Sequence, residues 1–210
     1  MTGSYEPVRI GIALLILFLP AIIVLHELGH FWAARWLGIE LTEFSIGLGA
    51  VLKKWHHKGI EYSFHLWPIA AHVRPAIAKR DSLGAKKPRL VQNHPVWHQL
   101  LFLAGGAIAN IRFAYVLLVV RGVSEGEAVG AVLRGSVVEL GGWAGFLAGR
   151  IGAALFGLGG AGAPLPLLAF DQQLAFLSLS FGLINLVPVP PFDGGRILVI
   201  LLRKFSKTRD

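Results

Sequence analysis

His26, Glu27 and His30 stand in the order His-Glu-Leu-Gly-His. On a helix, residues four apart lie about 40° apart around the axis and one turn along it, so both imidazoles can reach a single divalent ion. Glu27 is one residue further round, beside the position such an ion leaves open. A carboxylate there can take a proton from water and pass it to a leaving amine. The chemistry implied is metal-assisted hydrolysis, and Zn2+ is the ion this spacing suits. The 210 residues include no cysteine, which excludes a thiolate site and leaves His, Asp and Glu as the available ligands.

Two histidines are too few for a catalytic zinc site, which generally has three protein ligands. Asp193 is the best candidate for the third. It is the only acidic residue between Asp171 and the C-terminal Asp210, and it follows a stretch broken by Pro188, Pro190 and Pro191. Such a break frees backbone groups, which at membrane depth is tolerated only inside protein or beside a wet cavity. Gly194 and Gly195 then permit close backbone approach. The other use for Asp193 is as the N-cap of a helix over 194–202.

These residues sit in a chain with the balance of a membrane protein. It is 54% hydrophobic and 15% charged, with a mean hydropathy of +0.62. Residues 10–37 are apolar apart from His26, Glu27, His30 and Arg35, and 28 residues at about 1.5 Å each exceed a hydrocarbon core of about 30 Å. This is the first expected span. The apolar run continues into charged residues, unlike a cleaved signal peptide. Two His and a Glu in such a span are costly to bury without a partner such as a metal. A second span is expected over 97–120, interrupted by Asn110 and Arg112, and a third over 167–187. Residues 140–162 are read as a partly inserted or interfacial helix within a Gly-rich segment, 121–166. Within 38–95, Ile60, Tyr62, Phe64 and Leu66 alternate with Glu61, Ser63 and His65, a period of two that predicts a strand paired through a His-Lys-Gly turn with 50–54.

The formal charge of +8 could suggest nucleic acid, but its distribution points elsewhere. Nine of the 20 Lys and Arg residues lie in 38–95, and more lie in the C-terminal tail. Basic loops gather on the cytoplasmic side. The expected arrangement is a multi-pass protein of the cell membrane, with its N-terminus and 121–166 outside and 38–95 and the C-terminus cytoplasmic. His26 and His30 then lie near the same side as Asp193. The expected fold is mainly α, one domain of three core transmembrane helices with a small cytoplasmic-side β-hairpin. The partners are the lipid bilayer and transmembrane protein substrates, with no nucleic acid.

The sequence resembles the site-2 protease family of intramembrane zinc metalloproteases. The resemblance rests on HELGH at 26–30, FSIGLG at 44–49, GAIAN at 106–110 and NLVPVPPFDGG at 185–195. It implies zinc held by His26, His30 and Asp193, with Glu27 as general base. It also implies a part for Asn185, eight residues before the Asp, in handling substrate, and regulated intramembrane proteolysis as the activity. There are departures. Ala70-Ala71-His72-Val73 stands where many members have Gly-Gly-Tyr-Val, Gly106-Ala107 where they have Gly-Pro, and Arg112 where an apolar residue is usual. Residues 121–166 are too few for the PDZ domain that many bacterial members carry there.

His56, His57, His65, His72, His94 and His98 are read as ordinary interfacial polar residues, Asn110 as a bond between helices, and Arg112 as snorkelling or paired with a carboxylate such as Glu139. Two other functions are compatible with the composition: a relative that keeps zinc but binds membrane segments without cutting them, and a metal transporter. Retention of Glu27 argues against the first. The absence of internal repeats or a second polar site in the sequence reading argues against the second.

Overall fold

The structure, a computed structural model, describes residues 6–76, 91–156 and 169–207. It is mostly helical, with α1 (Glu6–Leu37), α2 (Val96–Ser124), α3 (Val129–Phe156), α4 (Phe170–Asn185) and α5 (Asp193–Lys207), and it has two long strands, β1 (Leu41–His57) and β2 (Ile60–Pro75). Among the described residues, two stretches are long and apolar enough to cross a membrane, Leu17–Leu37 and Val96–Ser124. The third expected span is represented by α4, whose 16 residues reach about 24 Å, short of a core of about 30 Å. Residues 167 and 168 of that expectation lie outside the described residues.

Contacts divide the chain into two units, one of 1–109 with 185–210 and the other of 110–184. In the first, α1 ends where Gly38 takes a positive φ of 70° and the Ile39 amide donates back to Ala34 O at 2.9 Å. This is the Schellman arrangement that glycine makes accessible. Beyond it, Leu37, Ile39, Leu41, Phe44 and Ile60 pack with Ala34, Phe102 and Leu103 in one buried cluster. Phe31, Phe44 and Tyr62 meet there edge to face or tilted. This cluster seats the sheet against α1 and the first half of α2.

The antiparallel sheet corrects the expectation of a short hairpin confined to 50–66. The turn is where the His-Lys-Gly pattern placed it, with Lys58 and Gly59 both at positive φ, as a two-residue hairpin loop requires. Both strands, however, are far longer and are bent, and each pairs twice. Glu43 faces Arg74 on one side and Glu61 on the other, while Glu61 also faces His56. Around the sheet the order is therefore 53–57, 60–65, 41–48 and 67–75, with the first and last outermost. The bend in β1 falls where Gly47 and Gly49 adopt φ of 99° and 86°. The FSIGLG residues thus lie inside the sheet. The bent end is apolar and exposed, at Leu48, Val51, Leu52, Leu66, Trp67 and Ile69.

In the second unit, the helix expected over 140–162 begins earlier, since α3 runs from Val129; residues 157–162 lie outside the described residues. Val132, Ser136, Leu140, Trp143 and Leu147 recur at spacings of three and four. The first two are buried, and the other three pack against buried Ala114, Leu118, Ala175 and Leu179. This stripe outweighs the helix-weakening glycines. Asn110 is fully buried, and its backbone carbonyl accepts from Ser178 Oγ at 3.0 Å. Arg121 donates to both Asp171 oxygens, at 2.9 and 3.2 Å, and Glu139 accepts from Gln172 at 3.0 Å.

Candidate metal centre

His26 and His30 project from one face of α1, as their spacing requires, and both are buried. Their Nε2 atoms are 3.2 Å apart. Asp193, first residue of α5 and more than 160 positions along the chain, brings Oδ2 to 3.1 Å from each. The three side chains form a group able to hold a metal ion, with ligand atoms within 4.8 Å of one another.

The donor set fits a cation better than a hydrogen-bond network. His30 Nδ1 is 2.8 Å from the carbonyl of Phe102 and must be the donor there, since a carbonyl only accepts. In a neutral ring this leaves Nε2 as a lone pair, pointed at a carboxylate oxygen and at the Nε2 of His26. Lone pairs converging on one point repel unless a positive ion lies between them. A carbonyl fixing the tautomer of a ligating histidine is the usual second partner at a metal site.

Small residues create the room. A Cβ on Gly106 would come within 2.5 Å of His26 Cε1 and Nε2 and within 2.6 Å of His30 Nε2, so any side chain there would crowd both rings. A Cβ on Gly29 would run into the backbone oxygen of Gly105, and one on Gly105 would meet Ala33 Cβ at 2.9 Å. Gly29 and Ala33 on α1 and Gly105 and Ala109 on α2 therefore let the two helices approach closely. Gly194 and Gly195 do the same for α5, since a Cβ on either would collide with the backbone of 186–190. The proline-broken stretch thus folds back tightly beneath Asp193, the first residue of α5, which meets the histidines.

Glu27 is not among the three converging donors. Its Oε2 accepts from the backbone amide of Val73 at 3.0 Å, a partner the sequence reading did not identify. Asp193 Oδ1 faces the Arg196 guanidinium at 3.8 Å, which leaves Oδ2 for the histidines. Asn185 closes α4, eight residues before Asp193, and lies outside the donor group. The Phe102 carbonyl was also missed. The GAIAN stretch at 106–110 was the available signal that α2 packs here. Among the other histidines, His72 pairs with Glu43 at 3.0 Å, as Arg74 does at 2.8 Å, and His65 lies 2.9 Å from Gly49 O at the bend of β1. On the outer segment, Lys54 meets Glu61 at 2.8 Å; that contact and the nearby His56 hold the Glu61 carboxyl below its ordinary range.

A sequence model described as peptidase family M50 matches residues 14–209. The chain is similar to the membrane metalloprotease ARASP, chloroplastic, of Arabidopsis thaliana, with 35% identity over 137 residues, 65% of this chain and 30% of that one. A Synechocystis sp. relative, whose name describes a zinc metalloprotease, is 39% identical over 102 residues, 48% of this chain and 28% of its own. The regulator of sigma-E protease RseP of Salmonella typhimurium is 32% identical over 118 residues, 54% and 26%. The chain spans less than a third of the length of these relatives.

Proposed function

Since the chain belongs to peptidase family M50, whose expected cofactor is Zn2+, we propose that it is a zinc metalloendopeptidase of the cell membrane. Its substrates are membrane proteins, hydrolysed within or near their transmembrane segments, as in regulated intramembrane proteolysis. The observation that carries this reading is the approach of Asp193 Oδ2 to 3.1 Å from both His26 and His30, on a helix apolar enough to span a membrane. The names of the relatives support it, and so does the exposed apolar surface of α1, with Trp32 and Trp36.

His26, His30 and Asp193 would hold the metal, which would supply Lewis acidity toward a carbonyl and a water. Glu27 accepts the proton of that water and returns it to the leaving amine. The Val73 amide orients the Glu27 carboxylate through the 3.0 Å bond. Glu27 lies ten residues before the end of α1, about 15 Å along the axis. On this reading the sheet stands beside the span at membrane depth, with its apolar bent end in lipid, and is more than a cytoplasmic loop. The N-terminus is placed outside and the C-terminus on the cytoplasmic side, with the basic residues of 38–95 and of α5.

A substrate helix must open before a carbonyl can be cut, and opened backbone needs new hydrogen-bond partners in lipid. Of the two outer segments of the sheet, 67–75 is the one placed to supply them, because its residue Val73 touches Glu27. Backbone groups alternate sides along a strand, so the amide of Ala71 points the same way as that of Val73. An extended substrate pairs there as an added strand, and Asn185 bonds the rest of its opened backbone. The direct test is cleavage of a membrane-segment reporter by the purified protein with and without a chelator. Cleavage that is lost on chelation and restored by zinc is expected, and a chelator-insensitive or absent activity with zinc bound would sink the reading.

A further inference from the structure

A second pair of histidines stands at the start of α2. His94 lies in the bend just before the helix and His98 is its third residue. Their Nδ1 atoms are 3.1 Å apart, and the rings lie 5.3 Å between centroids at 32°. Both rings are half-buried. The backbone that carries them is tied down: the His94 amide donates to Val91 O at 3.1 Å, the His98 amide to Pro95 O at 2.9 Å, and the Gln99 side-chain amide to His94 O at 2.8 Å. Trp97 packs its ring edge-on against His98, with centroids 3.8 Å apart.

We propose that His94 and His98 form a second, weaker site for a divalent transition metal, bound through the two Nδ1 atoms. With metal to imidazole distances of about 2.0–2.1 Å, a 3.1 Å separation of nitrogens corresponds to an angle at the ion of roughly 98°. That lies between the square or octahedral value and the tetrahedral one. The same spacing in sequence gives 3.2 Å between His26 and His30, so the two pairs present nearly the same bite. Here no carboxylate joins them among the described residues, and water fills the remaining positions. Two imidazoles and water suit Cu2+, Ni2+ and Zn2+ and not Mg2+ or Ca2+, which prefer oxygen. Lacking an anionic ligand, and lying near the positive end of a helix dipole, the site fills only at metal concentrations well above those that fill the first. When filled, it staples the bend before α2 to the first turn of the helix.

The test is equilibrium dialysis of the full chain in detergent against a series of buffered zinc concentrations, after stripping with a chelator. The wild type is expected to show two phases of about one equivalent each, and His98→Ala and His94→Gln to lose only the weaker. The two variants differ in what they leave behind, and circular dichroism identifies any that fails to fold. Asp193→Ala should lose the tighter phase and keep the weaker, which separates failure of this proposal from failure of the first site. A single phase in the wild type, or a weaker phase that survives both histidine substitutions, would overturn the proposal. So would a weaker phase reproduced with Mg2+.

Discussion

The backbone amide of Val73 donates to Glu27 Oε2 at 3.0 Å, joining the outermost segment of β2 to α1 across 46 positions of sequence. This bond gives Glu27, which stands between the two histidines in the sequence, a fixed orientation. It also brings a strand edge, the part of a sheet with backbone groups to spare, next to the proposed metal.

If Glu27 is the base, Glu27→Gln keeps the shape but cannot accept a proton. Cleavage should fall by a factor of about 100 to 10,000, while zinc content stays at the wild-type value. A rate within about tenfold of wild type would remove Glu27 from that role.

Tightly held zinc should be close to one per chain after dialysis and should be lost in Asp193→Ala, because two histidines alone leave the site a ligand short. Metal analysis of the two proteins decides it. Unchanged tight zinc and activity in the variant would exclude Asp193 as a ligand.

Gly106→Ala should weaken zinc binding roughly tenfold or more, since the new Cβ meets ring atoms of His26 and His30 and overpacking of this kind costs about 1–3 kcal/mol. Gly135→Ala and Gly141→Ala in α3 meet nothing within 4 Å and should leave zinc binding unchanged. Equal zinc affinity in Gly106→Ala and the α3 controls would show that the cradle is not where the metal sits.

Ala71→Pro removes an amide that faces away from β1, and proline is tolerated on an edge with its missing donor outward. The ladder to β1 and the zinc should survive. Losing one backbone bond to an added strand should slow cleavage roughly five- to tenfold. Single-turnover rates near wild type would count against strand addition at this edge.

Substrate choice follows from the cost of opening a helix in hydrocarbon, several kcal/mol for unpaired backbone groups. Replacing Pro or Gly near the scissile bond by Leu should slow single-turnover cleavage by about tenfold or more, and Asn185→Ala should slow it further. Equal rates for the matched reporters, in detergent and in bilayers alike, would show that unwinding does not limit the reaction.

Much of the site was legible because it is local. The four-residue spacing of His26 and His30 fixes their common face through helix geometry alone, and the proline break with its single acid singled out Asp193. The Lys58-Gly59 turn could be read because two residues at positive φ have few alternatives. Tertiary structure decided the rest. A period of two says that 60–66 is a strand but not which chain segments flank it, so the doubled pairing of β1 and β2 and the contact of Val73 with Glu27 came only from packing. The stripe of α3 from Val132 to Leu147 was present in the sequence but hidden by its glycines, whose weak helix preference is overridden once the stripe is buried. That Gly29 and Gly105 face one another, that a side chain at Gly106 would meet both histidines, and that the Phe102 carbonyl accepts from His30 depend on how closely α1 and α2 approach. Sequence spacing does not encode that distance; it is set by the side chains that meet between the helices.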